Sequence, residues 1–373
     1  MKVAFISESH GWSGGAAQIL VLGRGLSEAG WQVTLCSPEG GEVARRAEGA
    51  GMRHVALHPR QDYDLSAAYR LAKLIDKEGI EVLHAHHPRG HAVGLASLYL
   101  SSRRPVFVVT RRVSFKVSSN PFSALKYRHP RIDGYIAVAE NVRGELIAGG
   151  VAPERVETIP SGVDLQRFKP SPPHDAVRGE LALPPGVPVI GKIANYSEWK
   201  GQDVVLDAAA RLRRDGVRAV LVFAGRDTDS PELKARAKKA GVAAEDCRFL
   251  GFREDIPELL SNFTVSVNAA RRGEGISGAL RESLAMEVPA VASAAGGNAE
   301  LVVEGVTGRM FEAGNDERLA RVLKETLADL PAAKALARAG AEVVRERFSD
   351  KASVRLTMAY YARLAERQKA NAG

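Results

Sequence analysis

Cysteine is nearly missing from this 373-residue chain: Cys36 and Cys247 are the only two, one in each half and both inside apolar, strand-like runs. Two such thiols exclude a disulfide framework and a cysteine-based metal cluster, and they suit buried free thiols of a reducing compartment. No uninterrupted apolar run is long enough to span a bilayer, and MKVAFIS at the start has one Lys and too short an apolar run for a signal peptide. A cytoplasmic protein is the expectation. There are no short-period repeats and no low-complexity tracts. Acidic residues are also absent from one long window, Val82 to Ile132, which holds Arg89, Arg103, Arg104, Arg111, Arg112, Lys116, Lys126, Arg128, Arg131 and five of the nine histidines. In a chain of net charge +8, such a face attracts an anionic partner: membrane lipid, a phosphorylated glycan or nucleic acid.

What is present points to a globular α/β protein. Hydrophobic content of 45% and charged content of 26% suit a soluble fold, and the length suits two domains. Short β-rich runs alternate with helical patterns: 3–7, 33–37, 54–58, 81–85, 106–110, 134–139 and 156–160, then 187–193, 219–225, 247–251, 264–269 and 288–293. This rhythm predicts βα units, parallel sheets and two doubly wound domains, with ligands at the carboxyl ends of the strands. The Pro-rich stretch 169–186 reads as the linker between domains at 1–168 and 187–349. Residues 350–369 form a further helical pattern, free to pack on its own domain or to cross back to the first.

The stretch from Ala269 to Gly297 carries the sharpest chemistry. Glu274 lies in a Gly-rich loop and Glu282 on the following helix, with seven residues between them. Ser277 is placed as an N-cap, and the free N–H groups of that helix end form an anion site. A diphosphate there has one carboxylate beside it and another a turn further in, and carboxylates accept from sugar and ribose hydroxyls. The same residues also suit an ordinary amphipathic helix with two exposed glutamates. Gly14 and Gly15 follow the first strand just before a helix and permit close approach of a phosphate or sugar. His84 and His86 share one side of a strand; without an accompanying carboxylate or Cys, hydrogen bonding at a cleft is preferred to zinc. Lys192 and Lys200 flank a loop at a strand end and suit neutralisation of a leaving diphosphate. Asp227 and Asp229 offer an Asp-X-Asp metal pattern but read better as a turn before Pro231.

Taken in order, these pieces resemble the family 4 retaining glycosyltransferases of the GT-B fold over nearly the whole chain. The glycine pair, His86, the interdomain Ser161–Asp164 with Phe168, Lys192 and Lys200, the two glutamates, and 296–300 with 305–308 all stand in the family's order. Three departures stand out: Lys192 where Arg is usual, Ser161 where Asn is usual, and Gly-Ile-Ser-Gly after Glu274. The resemblance implies two Rossmann-like domains facing a central cleft and a C-terminal helix, 350–373, returning to the N-terminal domain. It implies a nucleoside diphosphate sugar donor on Gly14, Gly15, Phe252, Arg253, Gly275, Ile276, Ser277, Gly278 and Glu282, with Glu274, His86, Lys192 and Lys200 at the reaction. It also implies an acceptor on the N-terminal domain, with no cofactor and no metal; the basic, acid-free window makes that acceptor an anionic glycan or lipid-linked one, placed near Arg111, Arg112 and Lys116.

Two rivals remain at the level of sequence. One is a sugar-nucleotide epimerase or hydrolase of the same fold. The other is a non-catalytic binder of nucleotide sugars or nucleic acid, with Phe115, Phe122 and Tyr127 as stacking residues among the basic ones. No nucleic-acid-binding motif accompanies them, so no nucleic acid is expected.

Overall fold

The structure, a computed structural model, describes residues 1–117 and 121–370. Thirteen strands among them form two sheets. The first holds β1 (Lys2–Ile6), β2 (Gln32–Ser37), β3 (Arg53–Ala56), β4 (Val82–Ala85), β5 (Val106–Arg111), β6 (Gly134–Ala137) and β7 (Val156–Thr158) in the parallel order β3-β2-β1-β4-β5-β6-β7. The second holds β8 (Val189–Ile193), β9 (Val220–Ala224), β10 (Cys247–Phe249), β11 (Val265–Asn268), β12 (Ala290–Ser293) and β13 (Arg309–Phe311) in the order β10-β9-β8-β11-β12-β13. Central strands covered by helices on both faces must be apolar at every position, which is why Val3 to Ile6 reads as a continuous hydrophobic run and is fully buried. Each sheet starts in its middle, builds outward and then reverses. The reversal leaves a switch point between β1 and β4 in one sheet and between β8 and β11 in the other, where loops from the strand ends diverge and ligands bind. Two Rossmann-like, parallel-sheet domains result, the GT-B pattern.

The chain divides into Met1–Gly162 joined by the segment from Ser349 on, and Val163–Phe348. The expected linker 169–186 is therefore not a free connection. It holds the helix Asp175–Glu180, and Val177, Leu181 and Leu183 are buried as part of the second unit. Asn262 donates from Nδ2 to the His174 carbonyl at 3.2 Å and fixes the same stretch. Its prolines punctuate, but the apolar residues between them supply an anchor that a linker lacks. The expected boundary at 168 accordingly moves to 162.

The last helix, Asp350–Ala370, belongs to the first unit. Val354, Tyr360, Tyr361 and Leu364 join its core, and glycines make room for them. A Cβ on Gly25 would stand 2.4 Å from a Val354 methyl, and one on Gly134 would stand 2.2 Å from the Tyr360 hydroxyl. Among the described residues, no helix is long and apolar enough to cross a membrane. Cys36 and Cys247 are free and buried, and burial pushes both thiols up to about 12.

A similar close fit holds the second sheet, where a Cβ on Gly191 would lie 1.8 Å from the Phe263 ring. Gly191→Ala is expected to cost about 1–3 kcal/mol through overpacking. Urea unfolding checks this; a midpoint equal to wild type would show that Phe263 moves aside freely.

Candidate functional site

In the second unit, two loops at the β8/β11 switch point are pinned together by backbone contacts that admit no side chain. Gly201, at φ +69°, lies so close to Ala269 that a Cβ would sit 1.9 Å from its carbonyl oxygen. The Arg271 N–H donates to the Trp199 carbonyl at 2.7 Å, and the Arg271 guanidinium forks onto Asp203 at 3.1 and 2.7 Å. Gly296, at φ +60°, packs against Glu274 in the same way, with 2.0 Å from its Cβ position to the Glu274 carbonyl oxygen. The Gly297 N–H donates to Gly275. Glu274 is thus held from both sides.

The residue is only 7% exposed, and its carboxylate accepts from Lys200 Nζ at 2.6 Å. Lys192, at the end of β8, is buried beside this pair. Burial, helped by the charge of Lys200, pushes its ammonium down to about 7 despite Glu274 and Asp203. The helix Gly278–Ala285 starts here. Ser277 stands at its N-cap as expected, yet its hydroxyl makes no capping bond; the Ser277 N–H is met instead by Asn298 Oδ1 at 3.4 Å. Gly275 and Ile276 are buried in the loop before it, and Gly278 opens the helix. Glu282 is half-buried, and burial raises its carboxyl against the opposing pull of Arg281 and Arg167. Glu274, Lys192, Lys200, Ser277, Gly278 and Glu282 therefore share one region of one unit.

Phe252 is exposed after β10, whereas Arg253 is tied to Glu180 and Asp255, leaving its backbone rather than its guanidinium for a ligand. Asp227 and Asp229 lie in a turn in which Thr228 Oγ1 donates to Gly225 at 2.8 Å and accepts from the Gly251 N–H at 3.1 Å. The turn expected before Pro231 is present at this point.

The first unit gathers its polar residues at the β1/β4 switch point. Ser13 caps the helix Gly14–Glu28 through the Ala16 N–H at 3.2 Å, while a Cβ on Gly14 would meet open space. Gly15 lies near Arg112 Cδ and His87 Nε2, each 3.8 Å from its Cβ position. Arg112 donates to the His86 carbonyl at 3.3 Å and pairs with His86 Nδ1 at 3.0 Å. The other ring nitrogen, His86 Nε2, is buried without a partner, and burial holds the imidazole well below its ordinary range. His84 does share the side of His86, with ring centroids 4.0 Å apart, but it is a core residue between Thr110 Oγ1 at 2.6 Å and the Tyr361 hydroxyl at 2.5 Å. Glu8 occupies the start of the helix Pro88–Leu100, accepting from Arg89 and Gly90 N–H groups at 3.2 and 2.8 Å. That helix end has its anion already.

The acid-free window is less bare in three dimensions than along the chain. Asp133 pairs with Arg104 at 2.9 Å and Asp62 with Lys126 at 2.8 Å, while Arg131 covers the Tyr99 ring at 4.0 Å. Arg111 donates to the Tyr127 hydroxyl at 2.9 Å and to the Phe115 carbonyl; Lys116 is exposed. Tyr127 is buried and stacked on Tyr135, so it is a core contact, and the Phe122 side chain lies outside the described residues. Sequence reasoning missed Arg281, and it did not give Asn298, within the 296–300 motif, or Tyr361, within the last helical pattern, the contacts they make. Arg281 left a signal: a cation on the apolar face of a helix between Leu280 and Leu284.

Comparison with known proteins identifies the family. The family model Glycosyltransferase Family 4 matches residues 12–167, and Glycosyl transferases group 1 matches residues 174–343. The chain is 29% identical to D-inositol 3-phosphate glycosyltransferase 1 of Catenulispora acidiphila, over 90% of this chain and 88% of that protein. It is 29% identical to the lipopolysaccharide core biosynthesis mannosyltransferase LpcC of Rhizobium leguminosarum, over 66% of this chain and 68% of that protein. Among solved structures, Anabaena HepE in complex with UDP and glucose superposes with a TM-score of 0.84 at 20% identity, over 97% of this chain and 99% of that one. The chain belongs to the family 4 glycosyltransferases of the GT-B fold.

Proposed function

We propose that this glycosyltransferase moves a sugar, with retention of anomeric configuration and without a metal, from a nucleoside diphosphate sugar to a hydroxyl of a lipopolysaccharide, glycolipid or other cell-surface glycan. The observation that carries the reading is the Lys200–Glu274 pair at the start of the Gly278–Ala285 helix, with Lys192 buried beside it. A departing diphosphate concentrates negative charge, and two ammonium groups with a helix end free of a side-chain cap match it. Glu282 accepts from the ribose hydroxyls, and Glu274, already oriented by Lys200, accepts from the sugar. The exposed Phe252 and the Arg253 backbone take the base. UDP in the HepE complex supports a nucleotide donor, and the names of the two relatives support a glycan or phosphate-bearing acceptor.

The first unit serves the acceptor. Arg111, Arg112 and Lys116 attract its anionic groups, and His86 turns its unpartnered Nε2 to a hydroxyl. The acceptor oxygen forms the new bond at the anomeric carbon as the sugar–phosphate bond breaks, and the departing phosphate oxygen takes the acceptor's proton. Arg89, Arg103 and Lys116, all exposed, offer contact with an anionic membrane surface. Equal sedimentation with neutral and anionic vesicles would argue against that contact.

Glu274→Ala is expected to lower sugar transfer by about 10²-fold or more while the protein stays folded. Undiminished turnover would remove Glu274 from the site. A thermal-shift screen of UDP-, GDP-, ADP- and dTDP-sugars in EDTA should show one nucleotide that stabilises the wild type and does so less in Glu282→Ala; at 100 times the dissociation constant the gain is about 2.7 kcal/mol. A shift that needs magnesium would overturn metal independence.

Lys192 adds a pH dependence. Between pH 7 and its unfolded value the unfolded chain binds a proton that the folded chain has released, so stability rises with pH across that window and the full cost of the buried ammonium is felt below pH 7. Lys192→Met should therefore stabilise the ligand-free protein more at pH 6 than at pH 9, by at least about 1 kcal/mol. Urea midpoints at the two pH values check this, and a gain independent of pH would mean that Lys192 stays charged throughout.

A further inference from the structure

The helix that opens the proposed donor site carries a cation with no assigned task. Arg281 is 5% exposed, and its Nη1 is buried without a hydrogen-bond partner. Elsewhere in this unit the fold spends carboxylates on its arginines: Arg213 and Arg218 share Asp246, Arg253 has Glu180 and Asp255, and Arg271 has Asp203. Glu282 and Glu274 favour the charge of Arg281 from a distance, but neither meets it at hydrogen-bond length. A guanidinium taken out of water without such a contact is costly, so its retention calls for an anion that arrives from outside. The direction of the side chain says where. Helical side chains lean toward the N-terminus, and residue 281 stands three positions after Gly278, on the same face. Accordingly, Arg281 Nη2 lies 3.7 Å from the Cβ position of Gly278, and Glu282 Oε1 lies 3.9 Å from that same point. The guanidinium edge, the Glu282 carboxylate and the start of the helix converge.

We propose that Arg281 is an anion-binding residue of the donor site, its free guanidinium edge receiving an anionic oxygen of the nucleotide sugar at the start of the Gly278–Ala285 helix. The assignment rests on the nucleotide-sugar reading above. It also gives the site the planar, two-pronged donor that Lys192 and Lys200, as point charges, do not supply. The anionic oxygen belongs either to the diphosphate or to the carboxylate of an acidic sugar, and the two sources separate by experiment.

Full-length wild type, Arg281→Leu and Arg281→Lys are compared by calorimetry and thermal melting. The probes are UDP, GDP, ADP, dTDP and inorganic pyrophosphate, followed by the neutral-hexose and uronate sugars of whichever base binds. Arg281→Leu without ligand should melt at or above wild type, because an unpartnered buried charge has gone. Its affinity for the bound nucleoside diphosphate should fall tenfold or more, with partial recovery in Arg281→Lys. A fall restricted to the uronate sugar, with the diphosphate unchanged, assigns the contact to the sugar carboxylate. Unchanged affinity for every ligand that the wild type binds overturns the role of Arg281 alone, as does a ligand-free Arg281→Leu that melts well below wild type. Failure of the wild type to bind any of these ligands overturns the nucleotide-sugar reading and the inference with it.

Discussion

A carboxylate that is almost wholly removed from water needs a cation at hydrogen-bond distance, and in the second unit Lys200 meets that need for Glu274 at 2.6 Å. Much of the local backbone can be understood as serving this pair. Gly201 brings the lysine loop down onto Ala269, Gly296 brings the chain after β12 up against Glu274, and Arg271 with Asp203 clamps the outer edge. Neither glycine tolerates a side chain, so the geometry of the pair is fixed by main chain rather than by soft surface contacts. The site is rigid where charge is concentrated, which is what electrostatic preorganisation demands.

The same unit tolerates charges that it does not pair. Lys192 lies buried beside the ion pair, and Arg281 sits on the buried face of the helix. Each is unfavourable for folding, and on the proposed reading each receives an anion, so that the ligand-free protein would store at this site part of the electrostatic work of binding. The first unit uses a different economy: Glu8 fills the start of its helix Pro88–Leu100, and Asp62 and Asp133 neutralise part of its basic run.

Much of the architecture was legible because central parallel strands must be continuous apolar runs, as Val3–Ile6 and Val220–Ala224 are, and twelve of the thirteen strands overlap the β-rich stretches of the sequence. β13 does not: in Arg309–Phe311 only Phe311 is buried, and it is pairing with β12 that makes the strand. The glutamate spacing and the two lysines were legible since loop and helix periodicity fix their neighbourhood. Contacts between residues far apart in sequence were not. Nothing near His84 indicates that Tyr361, 277 residues later, closes its hydrogen bond, and the window from Val82 to Ile132 cannot show that Asp62 reaches into it. The linker was misplaced for a related reason: proline content marks where a chain turns, not what its intervening valines and leucines pack on.

The first unit's dependence on Val354, Tyr360, Tyr361 and Leu364 has a consequence for how the chain comes to be folded. Residues 1–162 emerge from the ribosome first but lack part of their own core, whereas 163–348 is continuous and complete as soon as it has been made. The order of completion is therefore the reverse of the order of synthesis. For the time needed to translate nearly 200 further residues, the first sheet waits with one apolar flank uncovered, the kind of transient exposure that makes a nascent chain prone to aggregation.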